Sequence, residues 1–263
     1  MKREAETYAL VTGASSGIGL EIARQLAQRG FSVLCCARSE EPLQKLSEET
    51  RGMCHPLPMD LSEQGASQAV WDHCSREGHD IEVLVNCAGF GAVGHHVRHS
   101  PHSLAEMCRL NVNTPAELCA LFGQGMRERR RGFILNVSSV AGFMPIPFFA
   151  NYSASKAFIR SLSESLHEEL RPYGVNVCCL SPGPVRTRFH ERSNPHYKDD
   201  EKSFFSLSAG EVAEAGLQGL FEGRRSVVPG FANRCIVWLD HLLPRPLVSR
   251  FLALKSEGRK LTD

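Results

Sequence analysis

The run Tyr8-Ala9-Leu10-Val11 followed by Thr12-Gly13-Ala14-Ser15-Ser16-Gly17-Ile18-Gly19 constrains the fold of this chain more than any other segment. A short β-rich apolar run that enters a glycine-rich turn and then a helical pattern opens a βαβ unit. Glycines at such a turn let the backbone approach a ligand closely. The helix start adds unpaired N–H groups and the positive end of the helix dipole, which together suit a pyrophosphate. The same alternation recurs downstream, with strands predicted over residues 8–11, 31–36, 53–59, 81–86, 133–137, 175–180 and 226–228. Helices are predicted between them over 18–29, 41–49, 63–77, 104–130 and 150–171. Ser208 and Glu211 have the spacing of a capping box for one more, reaching about 222. Strands alternating with helices in this way imply an α/β, Rossmann-like, doubly wound sheet of seven parallel strands flanked by helices.

At 263 residues the chain suits a single α/β domain, 1–263. A net charge of +1 gives no general attraction to nucleic acid, so a small molecule is the expected partner. Ten cysteines occur, but there is no Cys-x-x-Cys pair, and Cys35, Cys36, Cys178 and Cys179 sit inside apolar runs, as reduced core residues do. The charged N-terminus lacks an apolar signal region, and a cytoplasmic address is expected. The segment 235–254 is apolar but is interrupted by Asp240, His241, Pro244, Arg245, Pro246 and Arg250. It predicts no membrane span, while peripheral contact with a membrane surface stays open. Residues from about 231 to 263 are read as a C-terminal extension that packs on the body or covers the substrate. The arginine-rich run 127–131 is read as the cationic end of a long helix.

Tyr152-Ser153-Ala154-Ser155-Lys156 places a phenol and an ammonium one helical turn apart, with Ser139 thirteen residues upstream. A free phenol titrates near about 10, and a neighbouring cation lowers that value. The pair is therefore a proton-transfer device with Tyr152 as acid or base. Where the second strand ends, Cys36-Ala37-Arg38-Ser39 offers an arginine. There an acidic residue would hold the ribose 2′-hydroxyl of NAD and an arginine the 2′-phosphate of NADP, so NADP is favoured over NAD. Gly13-Ala14-Ser15-Ser16-Gly17 also matches the nucleophile elbow of hydrolases. Its place after the first strand and its third glycine are better explained by a dinucleotide. His95, His96, His99 and His102 have no interleaved carboxylate or cysteine at ligand spacing, and no metal is expected.

Taken in order, these motifs resemble the short-chain dehydrogenase/reductase family from residue 7 to about 190. Gly13, Gly17 and Gly19 fall on the family's glycine motif, with Ser15, Ser16 and Ile18 between them. Asp60-Leu61 matches the adenine-side motif, and Asn86-Cys87-Ala88-Gly89 matches Asn-Asn-Ala-Gly with Cys87 as a departure. Asn111, Ser139, Tyr152 and Lys156 fall on the catalytic quartet, followed by Pro182-Gly183-Pro184-Val185-Arg186-Thr187. The resemblance implies hydride transfer between a nicotinamide and a carbonyl or secondary alcohol. It makes Tyr152 the proton carrier and Ser139 the holder of the substrate oxygen. Lys156 would depress the phenol and bond the ribose, and Asn111 would keep a water in the proton path. Val185 and Thr187 would contact the carboxamide. The stretch 152–158 is similar to hydroxysteroid dehydrogenases and long-chain 3-ketoacyl reductases. Residues 90–102, 141–149 and 186–207 (a substrate loop over about 186–208) would shape the substrate site, and the apolar middle segment favours a hydrophobic compound. The resemblance also implies a homodimer or homotetramer. The alternative is a catalytically silent, cofactor-binding regulator of the same fold.

Overall fold

The computed structural model describes residues 7–186 and 206–257. Strands β1 (Tyr8–Thr12), β2 (Ser32–Ala37), β3 (Cys54–Pro58), β4 (Ile81–Asn86), β5 (Gly132–Val137) and β6 (Val175–Leu180) form one parallel sheet, which the short Ser226–Val227 strand closes at the far edge. The order is β3-β2-β1-β4-β5-β6 and then that last strand. The direction of winding reverses between β1 and β4, and a crevice opens there beyond the strand ends. Both faces of the sheet are covered, which is why the strands read as near-continuous apolar runs. Val11, Val33, Val85 and Leu135 pack on one face with Ile22 and Leu26 of α1 (Gly17–Gln28). Leu10, Leu34, Leu84 and Ile134 pack on the other with Leu118 and Met126.

The remaining helices are α2 (Glu40–Glu49), α3 (Ala66–Arg76), α4 (Pro101–Cys108), α5 (Thr114–Glu128), α6 (Ala150–Leu170), α7 (Ala209–Phe221), α8 (Phe231–Leu242) and α9 (Arg245–Glu257). The long helix expected over 104–130 is in fact two, α4 and α5, joined by a π-helical turn at Arg109–Asn113. Pro115 lies at the start of α5, where its missing N–H costs nothing. The helix expected over 63–77 begins only at Ala66, because Gly65 is left-handed at φ 82°. Both halves of the Ser208–Glu211 capping box are formed. The arginine-rich run does more than complement a dipole. Arg127 lies over the Tyr173 ring at 4.5 Å, Arg129 pairs with Asp80 at 2.6 Å and Arg131 pairs with Glu82, so the end of α5 is fastened to β4 and to the turn after α6. A short pair, Val185–Arg186 beside Leu207–Ser208, flanks the crevice. Among the described residues no helix is long and apolar enough to cross a membrane.

Candidate active site

The first turn is built by Thr12 and two glycines. Thr12 Oγ1 donates to Val85 O (3.2 Å) and accepts from Cys87 N (3.0 Å) and Ala88 N (3.1 Å), which locks the end of β1 to the loop after β4. A Cβ on Gly13 would lie 2.9 Å from the Ala88 backbone, and one on Gly19 would lie 2.4 Å from Gly13 O. Only glycine permits this closeness of β1, α1 and the 87–89 loop. Ser16 precedes α1 without a side-chain cap, and the first turn of α1 holds no acidic residue. Its N–H groups and dipole are left to an anionic ligand, so this turn fits the pyrophosphate of a dinucleotide. Arg38 stands at the far end of the same cleft, largely exposed and 3.8 Å from Asp60, whose carboxylate is held by Ser62 N (2.9 Å) and Ser62 Oγ (2.7 Å).

The cleft has a volume of about 680 Å³. Gly13, Ser15 to Gly19, Arg38, Asp60, Leu61, Ala88 and Gly89 line its nucleotide side. Ser139, Tyr152, Lys156, Pro182, Gly183 and Val185 line the other. At that second end α6 delivers its first turns to the C-terminal end of β5. Ser138 Oγ donates to Lys156 O at 2.7 Å, and Ser155 Oγ donates to Tyr152 O at 2.7 Å. Ser139 accepts from Ala141 N at 3.1 Å, and its hydroxyl is hydrogen-bonded to the Tyr152 phenol. Lys156 Nζ donates to Val137 O at 3.0 Å and lies 5.7 Å from the centre of the Tyr152 ring. The thirteen-residue spacing and the i, i+4 pair are thus gathered into one buried cluster.

Three expectations change. Asn86 does not line the cleft: its amide donates to Asn136 Oδ1 (2.8 Å) and Cys119 Sγ (3.4 Å), at the C-terminal ends of the central strands β4 and β5. Cys87 takes the place on the wall instead. Asn111 is likewise behind the wall, carried inward by the π-helical turn. Its amide closes onto Phe90, accepting from N at 3.1 Å and donating to O at 2.8 Å, and also donates to Ser155 Oγ at 3.2 Å. The third change concerns protons. Burial pushes the Tyr152 phenol up to about 12, against the pull of the Ser139 hydrogen bond, rather than down. Burial also lowers Lys156 to about 8, opposed by Cys87 and Cys179. Desolvation outweighs attraction here because both groups are out of water. At pH 7 Tyr152 therefore carries a proton to give, beside a Lys156 that is still mostly charged. Thr187 lies outside the described residues.

Sequence reasoning missed Asn233; Thr12 opened the glycine motif and Phe149 ended the 141–149 segment expected to shape the substrate site, but neither was given a role of its own. Phe149 stacks on Tyr152 at 4.3 Å and, with Phe90, Ala92 and Ile146, forms an apolar wall beside the phenol. Asn233 of α8 is buried directly against Gly183, where an added Cβ would come within 2.2 Å of its Oδ1. His95 packs edge-on against Phe148, and no group of three metal-ligating side chains occurs among the described residues.

A nucleotide-shaped crevice that ends at a buried proton donor puts this chain among the oxidoreductases of the doubly wound fold. More narrowly, the chain belongs to the short-chain dehydrogenase family, whose model matches residues 7–198. A very-long-chain 3-oxoacyl-CoA reductase of Anas platyrhynchos is 33% identical over 253 residues, covering 93% of this chain and 78% of the relative. Among solved structures, a short-chain dehydrogenase from Sphingobium yanoikuyae in complex with NADPH superposes with a TM-score of 0.79 at 27% identity, covering 97% of this chain and 94% of that one. The bulky-bulky ketone specific alcohol dehydrogenase from Comamonas testosteroni gives a TM-score of 0.76 at 28% identity, covering 99% and 98%.

Proposed function

We propose that this chain is an NADP-linked carbonyl reductase, running also as an alcohol dehydrogenase, that acts on hydrophobic ketones of which 3-oxoacyl thioesters and bulky ketones are the first to test. The observation that carries the proposal is the protonated, buried Tyr152, hydrogen-bonded to Ser139 at the inner end of the dinucleotide-shaped cleft. The nicotinamide, when bound, supplies or accepts the hydride at the substrate carbon. Ser139 holds the substrate oxygen. Tyr152 donates its proton to that oxygen as the C=O becomes a carbinol, and takes it back in oxidation. Lys156, anchored on Val137 O, holds a positive charge near the phenolate that this step creates. Asn111 acts through others, fixing the Phe90 backbone and, through Ser155, the start of α6.

NADP is supported by Arg38, whose guanidinium is largely exposed at the nucleotide end of the cleft and only loosely paired with Asp60 at 3.8 Å, within reach of a 2′-phosphate, and by the NADPH carried by the Sphingobium relative. A hydrophobic substrate is supported by the Phe90, Ile146 and Phe149 wall and by what the duck and Comamonas relatives are named for. The test is oxidation of NADPH and of NADH against a panel of ketones and 3-oxoacyl thioesters, comparing the wild type with Tyr152→Phe. The expected result is turnover with NADPH that falls by about 10³-fold in the variant, while NADPH affinity holds. Cofactor binding without any Tyr152-dependent turnover would make the chain a binder rather than an enzyme.

A further inference from the structure

Helices α8 and α9 turn their apolar residues to the outside. Of the twelve large apolar side chains exposed among the described residues, nine fall between positions 231 and 254. On α8, Phe231, Trp238 and Leu242 recur at i, i+7 and i+11 and are 76%, 68% and 61% exposed. On α9, Leu247, Phe251 and Leu254 recur at i, i+4 and i+7 and are equally open. Each trio is therefore one helix face. Two polar residues of α8, Asn233 and Asp240, turn towards the body instead, while Arg234 stays exposed. Asn233 is buried and donates to Pro229 O at 2.9 Å, and Asp240 is half-buried. An outward apolar surface on this scale needs a partner.

Charge identifies the partner. Residues 231–263 hold six Lys and Arg against three Asp and Glu, a net of +3 in a chain whose total is +1. Arg234 and Arg250 are exposed and stand at the same place on the two helices, three residues after Phe231 and Leu247, and Arg245 is exposed at the start of α9. Each apolar face is thus edged by arginine. A second copy would bring the same arginines against them, since a two-fold interface sets like patches together. At 12 and 13 residues the helices are also too short to span a bilayer. Aromatic and leucine side chains edged by arginine suit a helix lying in the surface of an anionic membrane.

We infer that α8 and α9 together dock this chain on anionic lipid, with Phe231, Trp238 and Phe251 entering the headgroup boundary. Asn233 seats the first turn of α8 against Gly183, so the docked helices adjoin the wall of the cleft. If the proposed reaction holds, a lipid-dissolved ketone would meet the cleft from the membrane side; docking itself does not depend on that reaction.

The test is sedimentation of the full-length chain with phosphatidylcholine vesicles, with and without phosphatidylserine. It is paired with Trp238 fluorescence in a Trp71→Phe background. Binding to the anionic vesicles alone is expected, with a blue shift of Trp238. Each of Arg234→Gln, Arg245→Gln and Arg250→Gln should weaken binding by about fivefold, and Trp238→Ser with Phe251→Ser should abolish it. Circular dichroism and thermal melting check that the variants stay folded, independently of any turnover. No binding to anionic vesicles, or binding that ignores these five substitutions, overturns the inference. So does a Trp238→Ser/Phe251→Ser variant that drops to a smaller oligomer while the wild type ignores lipid, since the occupant would then be a second copy.

Discussion

Helices α1 and α8 are each twelve residues long and each is amphipathic, yet they face opposite ways. On α1, Ile22, Ala23 and Leu26 are fully buried against the sheet. On α8, Phe231 and Trp238 point to solvent while Asn233 is the residue buried against the body. Periodicity alone cannot separate these cases, because it says that an apolar face exists and not what covers it. What separates them is the neighbour each face finds. Helix α1 lies over Val11, Val33 and Val85, whereas α8 is seated by one amide against Gly183 and leaves its apolar face for another partner.

Substitutions on the two sides of this contrast should differ sharply in effect. Leu26→Ala removes a fully buried side chain of α1 and is expected to cost about 2–5 kcal/mol in urea unfolding; a loss below about 1 kcal/mol would mean that the α1 face packs loosely. Lys156→Met tests burial on a charge. The folded-state value near 8 lies below the ordinary 10.5, so below about pH 8 the folded chain holds a buried charge at a cost. That cost fades as pH rises from about 8 to 10.5, where the unfolded chain loses the proton as well. Lys156→Met should therefore raise stability at pH 7, by something on the order of 3 kcal/mol at most, with the gain shrinking towards pH 10.5. A gain that does not vary with pH would contradict the buried-charge account. The smallest effect belongs to Trp238→Ser on α8, expected to change stability by no more than about 0.5 kcal/mol. A loss beyond about 2 kcal/mol would show that the chain itself covers this face.

The parallel sheet was legible because its strands are apolar runs set between helical patterns, and β4 and β6 fall on the expected residues. Tyr152, Lys156 and Ser139 were legible because spacing on a helix and at a strand end carries geometry. Other features depend on surroundings that spacing does not carry. The rise of Tyr152 comes from desolvation by Phe149 and its neighbours, which lie apart from the Tyr-Lys motif itself. The π-helical turn that moves Asn111 behind the wall was half legible, since Pro115 marks a helix start inside the stretch read as continuous. Asn86 could have been placed by strand alternation, which puts it on the side of Leu84 and leaves Cys87 facing the cleft.

The central claim is that a hydride moves within this cleft while Tyr152 supplies the proton. The most direct measurement is reduction of a ketone with NADPH deuterated at the transferring carbon. Mass spectrometry of the alcohol should find one deuterium on the carbinol carbon and none washed into solvent, and Tyr152→Phe should bind the same cofactor but yield almost no labelled alcohol. An unlabelled alcohol, or labelled alcohol formed as fast without the phenol, would contradict the account.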